Sequence, residues 1–147
     1  MMMESKQTGT VPKNDVEMAE DVMKTLASNT DRWGKPNMVT TSQIRKFLAE
    51  VNRISVQLDR YLIRNGKKQT TLPEELVTDI QFLKVKLAYQ IRRAGARDKR
   101  NPVWQFAEGA ELMTRIDAIG DDVKKYQQFA KYMEALVAYH KFYGGKD

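Results

Sequence analysis

Apolar residues recur at helical spacing along most of the chain, and the clearest pattern covers residues 40–64. Thr40 and Gln43 have the spacing of a capping box, with Thr41 and Ser42 as alternative N-caps. One face is apolar and consists of Ile44, Phe47, Leu48, Val51, Ile54, Leu58 and Leu62. The opposite face carries a cationic stripe within about 40° of arc, namely Lys46, Arg53, Arg60 and Arg64. The pattern predicts a helix with one face against a core and a basic face that is either solvated or bound to a partner.

A short acidic helix and a loop are predicted before this long helix. The short helix begins at Asn14 or Asp15, either of which can act as N-cap, and ends near Ser28. The loop that follows contains Trp33 and Gly34. Because tryptophan usually has its large apolar surface covered, we expect Trp33 to be a buried anchor. The alternative is a platform on which a nucleic-acid base stacks.

The third predicted helix is apolar on two sides. Thr71 and Glu74 have capping-box spacing at its start, and Gly95 ends it. One apolar stripe consists of Leu76, Ile80, Leu83, Leu87 and Ile91, and the second consists of Phe82, Val85 and Tyr89. Such a helix is either the central one of a bundle or shows one side to a partner. The basic loop over residues 95–100 is equally typical of a phosphate-contacting connector and of an ordinary exposed loop.

Two more helices complete the predicted fold. Asn101 and Pro102 open the fourth helix as N-cap and first helical residue, and Gly120 ends it. Asp121 caps the fifth helix, and Gly144 is expected just after its end. The aromatic residues of this last helix are expected mainly in the core: Tyr126, Phe129, Tyr132, Tyr139, Phe142 and Tyr143. Without a convincing strand, the prediction is an all-α, compact bundle of about five helices.

Length and composition place these helices in one domain. The first fourteen residues are polar and aperiodic, so we expect a disordered N-terminal tail followed by a single helical-bundle domain over residues 15–147. The chain has no cysteine, which excludes a thiolate metal site and suits a reducing cytoplasm. No apolar run is long enough for a membrane span, and we expect neither a secretory signal nor a membrane partner.

The net charge of +6 is concentrated in two segments. Residues 43–68 carry seven Lys or Arg against two acidic residues, and residues 81–100 carry seven against one. The rest of the chain is acidic overall. A polyanion is therefore the expected partner, and nucleic acid is the commonest polyanion.

The sequence offers little for catalysis. A metal site needs several converging ligands, but His140 is the one histidine and has no clustered partner, so we expect a packed or partly exposed ring. Asp121 and Asp122 are explained by a helix start. Glycine-rich nucleotide-binding motifs are absent, as are the signatures of common base-reading domains. We therefore predict binding without turnover, with no catalytic residue, metal or cofactor.

Three blocks resemble the small helical subunit of type III-A CRISPR effector complexes, the Csm group. They are VTTSQIRKFLAEVNRI at 39–54, ELVTDIQFLKVKLAYQIRRAG at 75–95 and FAKYMEALVAYHKFYGG at 129–145. The resemblance extends from about Val39 to the C-terminus. The pairing of TTSxIR with the terminal YxEALVAYHKFY is fairly specific, whereas each block alone is weak.

The resemblance implies a non-catalytic helical bundle that lines an RNA-guided complex. Its implied partners are guide RNA and target RNA, the backbone and large subunits of the complex, and further copies of itself. The matching motifs imply that Arg45, Arg53, Lys84 and Lys86 contact RNA. The implication is weaker for Arg92 and Arg93. Lys46, Arg60 and Arg64 are added from the helical pattern alone. Sequence would be read by base pairing, while the protein holds the backbone.

Two other classes of function stay open at this point. A purely structural assembly subunit would carry the same charges as a solvated face, without direct RNA contact. A nuclease that uses carboxylates and a divalent ion would require acidic residues brought together from distant positions.

Overall fold

A computed structural model describes residues 14–98 and 100–146. This part of the chain forms six helices: α1 (Asp15–Ala27), α2 (Thr41–Asn65), α3 (Glu74–Ala94), α4 (Pro102–Gly109), α5 (Leu112–Ile119) and α6 (Val123–Phe142). Strand-like pairing among the described residues is limited to two isolated bridges. The all-α prediction is confirmed. The tail predicted over residues 1–14 lies outside the described residues, apart from Asn14.

All six helices contribute to one hydrophobic core. The last helix, α6, packs against α1, α2 and α5, and α2 also packs against α3. The predicted core faces of α2 and α3 are confirmed, since Ile44, Phe47, Val51, Ile54, Leu58 and Leu62 are buried, as are Leu76, Ile80, Leu83, Leu87 and Ile91. Leu48 is partly buried against the same core. This packing leaves the basic face of α2 outside.

Local hydrogen bonds confirm most of the predicted helix starts. The Thr40 hydroxyl accepts from the Gln43 N–H at 3.1 Å, and the Gln43 side chain accepts from the Thr40 N–H at 2.9 Å. This reciprocal pair is the capping box expected from the sequence. Asn14 caps α1 and Asn101 caps α4 through their side-chain oxygens, as predicted.

Two predicted caps are wrong by one or more residues. Residue Thr71 does not cap α3, because it pairs in extended conformation with Asp122, and the neighbouring Leu72 N–H donates to Asp121 O at 2.7 Å. Helix α3 therefore begins after Pro73, without a side-chain cap. The same pairing places Asp122, rather than Asp121, as the cap of α6.

The predicted fourth helix is divided into α4 and α5, which raises the number of helices to six. Glu111 lies between them with a left-handed backbone, φ 57°. Ala110 and Leu112 on either side of it are fully buried, so both pieces turn towards the core. The Ala110 carbonyl accepts from the buried Tyr132 hydroxyl at 3.0 Å. A long-range partner thus replaces the bond that a continuous helix would supply.

Trp33 is not the buried anchor that we expected, since 74% of its surface is exposed. Its turn is held by its own hydrogen bonds: the Asp31 carboxylate accepts from the N–H groups of Trp33 and Lys35 at 2.8 and 3.0 Å. The turn therefore needs no core contact from the indole. Among the aromatic residues of the last helix, Tyr126, Phe129 and Tyr132 are buried as predicted, whereas Phe142 is 74% exposed.

His140 is buried and packed, as expected from its isolation in the sequence. Its Nε2 lies 2.6 Å from the Val39 carbonyl oxygen. Gly145 covers the ring so closely that a Cβ at this position would collide with it. The ring therefore joins the end of α6 to the segment before α2. Within the described ranges, no helix is long and apolar enough to cross a membrane.

Candidate nucleic-acid interface

Helices α2 and α3 enclose an open groove of about 740 Å³. It lies where the first half of α2 faces the second half of α3, because the short connector at 66–73 makes the two helices antiparallel neighbours. Its lining is Gln43, Lys46, Phe47, Ala49 and Glu50 from α2, with Val85, Lys86, Tyr89, Gln90, Arg93 and Ala94 from α3. The groove therefore combines cations, amides and apolar surface.

Three cations line the groove from both sides. Lys46 comes from α2, and Lys86 and Arg93 come from α3. Arg53 lies seven residues after Lys46, on the same face of α2, and is half-exposed beside the groove. Two of the predicted RNA-contacting residues of α2 are thus brought together with two of α3. The arrangement suits a ligand with repeated negative charges.

Glu50 is the one acidic residue among those that line the groove. Its Oε1 atom accepts from the Lys86 ammonium and lies 3.4 Å from the Arg53 guanidinium. The hydrogen bond from Lys86 holds the pKa of Glu50 below its ordinary value of 4.5, against the opposing effect of partial burial. Glu50 is therefore ionised at neutral pH and orders both cations. It also competes with any anion that enters the groove.

The second apolar stripe of α3 is exposed. Phe82, Val85 and Tyr89 have exposed fractions of 52%, 53% and 63%. Helix α3 is therefore not the central helix of the bundle, and one of its apolar sides is open in the described structure. Tyr89 and Val85 line the groove beside the cations. An aromatic surface flanked by cations can contact sugars and bases as well as apolar protein surface.

The framework of the groove is fixed by buried and half-buried hydrogen bonds. The Gln90 side chain donates to the Gln43 carbonyl at 3.0 Å, which joins the end of α3 to the start of α2. Behind α2, the Tyr126 hydroxyl donates to Val51 O at 2.7 Å and lies 2.9 Å from the Ser55 hydroxyl. The cations are therefore carried by two helices whose relative position is set from the core side.

Lys84 points away from the groove, although the sequence motif groups it with Lys86. Its ammonium donates to Asp117 on α5 at 2.6 Å. Residues two apart on a helix lie about 200° apart, so the two lysines face different neighbours. Arg45, Arg60, Arg64 and Arg92 are exposed but do not line the groove. The nine predicted residues are therefore divided between the groove and other faces.

The described residues contain no group of three or more His, Asp or Glu side chains arranged to hold a metal ion. The chemistry that the groove residues support is ion pairing and hydrogen bonding to an anionic backbone. Sequence reasoning did not identify Glu50 and Gln90 as part of this site. A signal for Glu50 existed, because it lies one turn from Lys46 on the basic face of α2.

Fold and groove together define a small all-α protein with a basic, partly apolar groove between its two longest helices. Residues 20–146 match the family described as Csm2 Type III-A. A protein of Streptococcus thermophilus called CRISPR system Cms protein Csm2 is 36% identical over 136 residues, covering 92% of this chain and 95% of the relative. Proteins of the same description from Enterococcus italicus and Mycobacterium tuberculosis (strain CDC 1551 / Oshkosh) are 30% and 31% identical. The former match covers 96% of this chain and 97% of the relative, and the latter covers 74% and 78%.

The chain therefore belongs to the Csm2 family of type III-A systems. The prediction of a small helical subunit of the Csm group is confirmed.

Proposed function

We propose that this chain is a non-catalytic small subunit of a type III-A CRISPR interference complex that holds the backbone of guide–target RNA independently of sequence. The observation that carries the proposal is the α2/α3 groove, where Lys46, Lys86 and Arg93 surround an open cleft. The proposed partners are guide RNA and target RNA, the backbone and large subunits, and further copies of this chain. We expect a cytoplasmic location, because the proposed ligand is RNA and the chain contains no cysteine.

Phosphate contact explains why cations suffice without a base-reading motif. Lys and Arg bind phosphate oxygens of any sequence, so they give affinity and register while base pairing provides specificity. Glu50 orders Lys86 and Arg53 before RNA arrives, and a phosphate then replaces its carboxylate as their partner. The exchange requires no rearrangement of the helices, only a change of partner for two side chains.

The nine residues predicted to contact RNA differ in their position relative to the groove. Lys46, Arg53, Lys86 and Arg93 are proposed as the principal contacts, since they lie in or beside the groove. Arg45, Arg60, Arg64 and Arg92 are proposed as secondary contacts on other faces, and Lys84, which pairs with Asp117 outside the groove, as the weakest contact. The exposed Phe82, which lies outside the groove lining, is proposed to join this chain to a neighbouring copy or subunit while the filament is built.

The two lysines of the LKVK motif provide a matched test. Lys84 and Lys86 each pair with one carboxylate, and their side chains are 34% and 37% exposed. Lys86→Glu and Lys84→Glu therefore cause the same change in charge and similar local repulsion on opposite sides of α3. We expect Lys86→Glu to weaken binding of labelled single-stranded RNA by roughly 5- to 20-fold, since one reversed contact amounts to about 1–2 kcal/mol. Fluorescence anisotropy at low salt measures the effect.

We expect Lys84→Glu to change the affinity for the labelled RNA by less than about twofold. Equal weakening by both substitutions would show that total charge, rather than the groove, determines binding. If both variants kept the wild-type affinity for RNA, the second candidate would be favoured, which is an assembly subunit without RNA contact. The observation behind that candidate is the exposed apolar stripe that includes Phe82 and Val85.

A further inference from the structure

The turn that carries Trp33 lies outside the groove and has no role in the function proposed above. The indole is 74% exposed, and the Arg32 guanidinium lies 5.2 Å from its ring centroid. An exposed tryptophan of this kind is uncommon without a partner, because its large apolar face stays in contact with water.

The turn is internally fixed. The Asp31 N–H donates to Lys35 O at 2.7 Å, the Gly34 N–H donates to Asp31 O at 3.0 Å, and Thr30 pairs with Pro36. The Asp31 carboxylate accepts from two further N–H groups of the same turn. Trp33 is therefore presented on a closed backbone, so a ligand would not have to order the turn when it binds.

A second loop lies against this turn and adds positive charge. The Asn37 side chain donates to Arg100 O at 3.1 Å, which joins the turn to the loop after α3. That loop is held by the buried Asn101 side chain, which donates to the carbonyls of Ile91, Gly95 and Ala96. Among the described residues, the two loops carry four cations, Arg32, Lys35, Arg97 and Arg100, and two carboxylates, Asp31 and Asp98. Both carboxylates accept from backbone N–H groups.

We propose that this surface, the Trp33 platform, is a second binding site that takes single-stranded nucleic acid, with an unpaired base stacked on the indole and adjacent phosphates on Arg32, Lys35 and Arg100. An exposed apolar plate with one guanidinium 5.2 Å from its ring centroid, and further cations on the same two loops, matches a nucleotide, which has an apolar base beside an anionic phosphate. The core of a protein-docking patch is depleted of charged residues, whereas the described residues of these two loops include four cations. The platform uses no residue of the groove, so binding at the platform can be tested independently of the function proposed for the groove.

The tryptophan content makes the site directly observable. Trp33 and Trp104 are the two tryptophans of the chain, and Trp104 is half-buried against the core. In a Trp104→Phe variant, all tryptophan fluorescence reports on Trp33. Titration of this full-length variant with a short single-stranded oligoadenylate should quench the emission, because a stacked base contacts the indole. An abasic oligomer of the same length keeps the phosphates and should cause little quenching.

Affinity gives the second measurement. Trp33→Ala should weaken oligoadenylate binding roughly 5- to 150-fold, whereas its affinity for the abasic oligomer should stay unchanged. Trp33→Phe should cause a smaller loss of oligoadenylate affinity than Trp33→Ala, because a phenyl ring can still stack on a base. Ile63→Ala is the control, since Ile63 is 75% exposed but lies roughly 33 Å along α2 from the start of that helix.

The inference is overturned by an absence of quenching up to millimolar nucleotide at low salt. Equal quenching by the two oligomers would also overturn it, and so would an equal loss of affinity for both in Trp33→Ala. If quenching persists in a variant with reversed charges in the groove, the platform binds the oligomer independently of the groove.

Discussion

Replacement of Glu50 by Gln tests whether the groove binds a polyanion, because it removes the negative charge inside the site while keeping a side chain of the same shape. Glu50 is hydrogen-bonded to Lys86 and lies 3.4 Å from Arg53. In a phosphate-binding groove it is a competitor, so Glu50→Gln should bind RNA more tightly. A groove that only contacts apolar protein surface predicts no gain in affinity for RNA.

The size of the gain follows from the exposure of the pairs. The Glu50 side chain is 31% exposed and its partners are 37% and 47% exposed, so screening by solvent limits each pair to about 0.2–1 kcal/mol. The release of both cations, about 0.4–2 kcal/mol in total, should therefore tighten RNA binding roughly 2- to 30-fold. The cost in folding stability should stay below about 1 kcal/mol, because the amide oxygen still accepts from Lys86.

Anisotropy titrations at low salt measure this gain, and Asp117→Asn is the matched control. Asp117 pairs with Lys84 on the far side of α3, so its neutralisation makes the same change in net charge outside the groove. We expect Asp117→Asn to change the affinity for RNA by less than about twofold. Equal tightening in both variants would refute the reasoning, and so would weaker binding by a folded Glu50→Gln variant.

The pH dependence gives an independent check on Glu50. Since its folded pKa is lowered, its stabilising contribution is present above about 4.5 and is lost as the pH falls through the lowered value. The affinity ratio between wild type and Glu50→Gln should therefore stay constant from neutral pH down to about 4.5 and approach one only below it. A ratio that converges near neutral pH would contradict the ion pairing with Lys86.

Two further predictions concern the framework of the bundle. Burial raises the pKa of Tyr126 and of Tyr132 from 10 to about 12. The stability that they contribute should be present below pH 10 and fall between pH 10 and 12, by on the order of 2–3 kcal/mol per tyrosine. Urea denaturation should show a shallower fall for Tyr126→Phe, and an identical fall would contradict the burial of its hydroxyl. Gly145→Ala should destabilise the fold by about 1–3 kcal/mol, because the added Cβ collides with the His140 ring. An unchanged midpoint of unfolding in Gly145→Ala would show that Gly145 does not cover that ring.

Features that depend on local sequence were predictable. The capping box of Thr40 and Gln43, the Asn101 cap and the buried stripes of α2 and α3 each depend on residues within one or a few turns. The periodic pattern therefore identified the fold class and the basic face of α2. The resemblance to the Csm group rested on α2, α3 and α6 and is confirmed by the family match.

Features that depend on distant partners were not predictable in this way. Thr71 lost its capping role because it pairs with Asp122, and the break at Glu111 is stabilised by a bond from Tyr132 to the preceding carbonyl. Trp33 is exposed because its turn is closed by Asp31 rather than by the core. Propensity near each residue contains no information about these partners.

The candidate site shows the same division. The helical period alone separates Lys84 from Lys86 by about 200°, so the sequence was sufficient to predict that the two lysines face different neighbours. That Lys46 and Arg93 share a groove required the antiparallel packing of α2 on α3. Only the three-dimensional arrangement identifies Asp117 and Glu50 as the partners of the two lysines.

The most direct measurement of the central claim is the salt dependence of RNA affinity for a groove variant and a charge-matched control. The groove variant carries Glu at Lys46, Lys86 and Arg93, and the control carries Glu at three exposed lysines of α6, Lys124, Lys131 and Lys141. Each phosphate contact contributes about −0.7 to the log–log slope for single strands. We predict that the groove variant loses about 2 units of slope and most of its affinity, while the control keeps the wild-type slope. Equal slopes in the two variants would contradict the claim that this groove holds the RNA backbone.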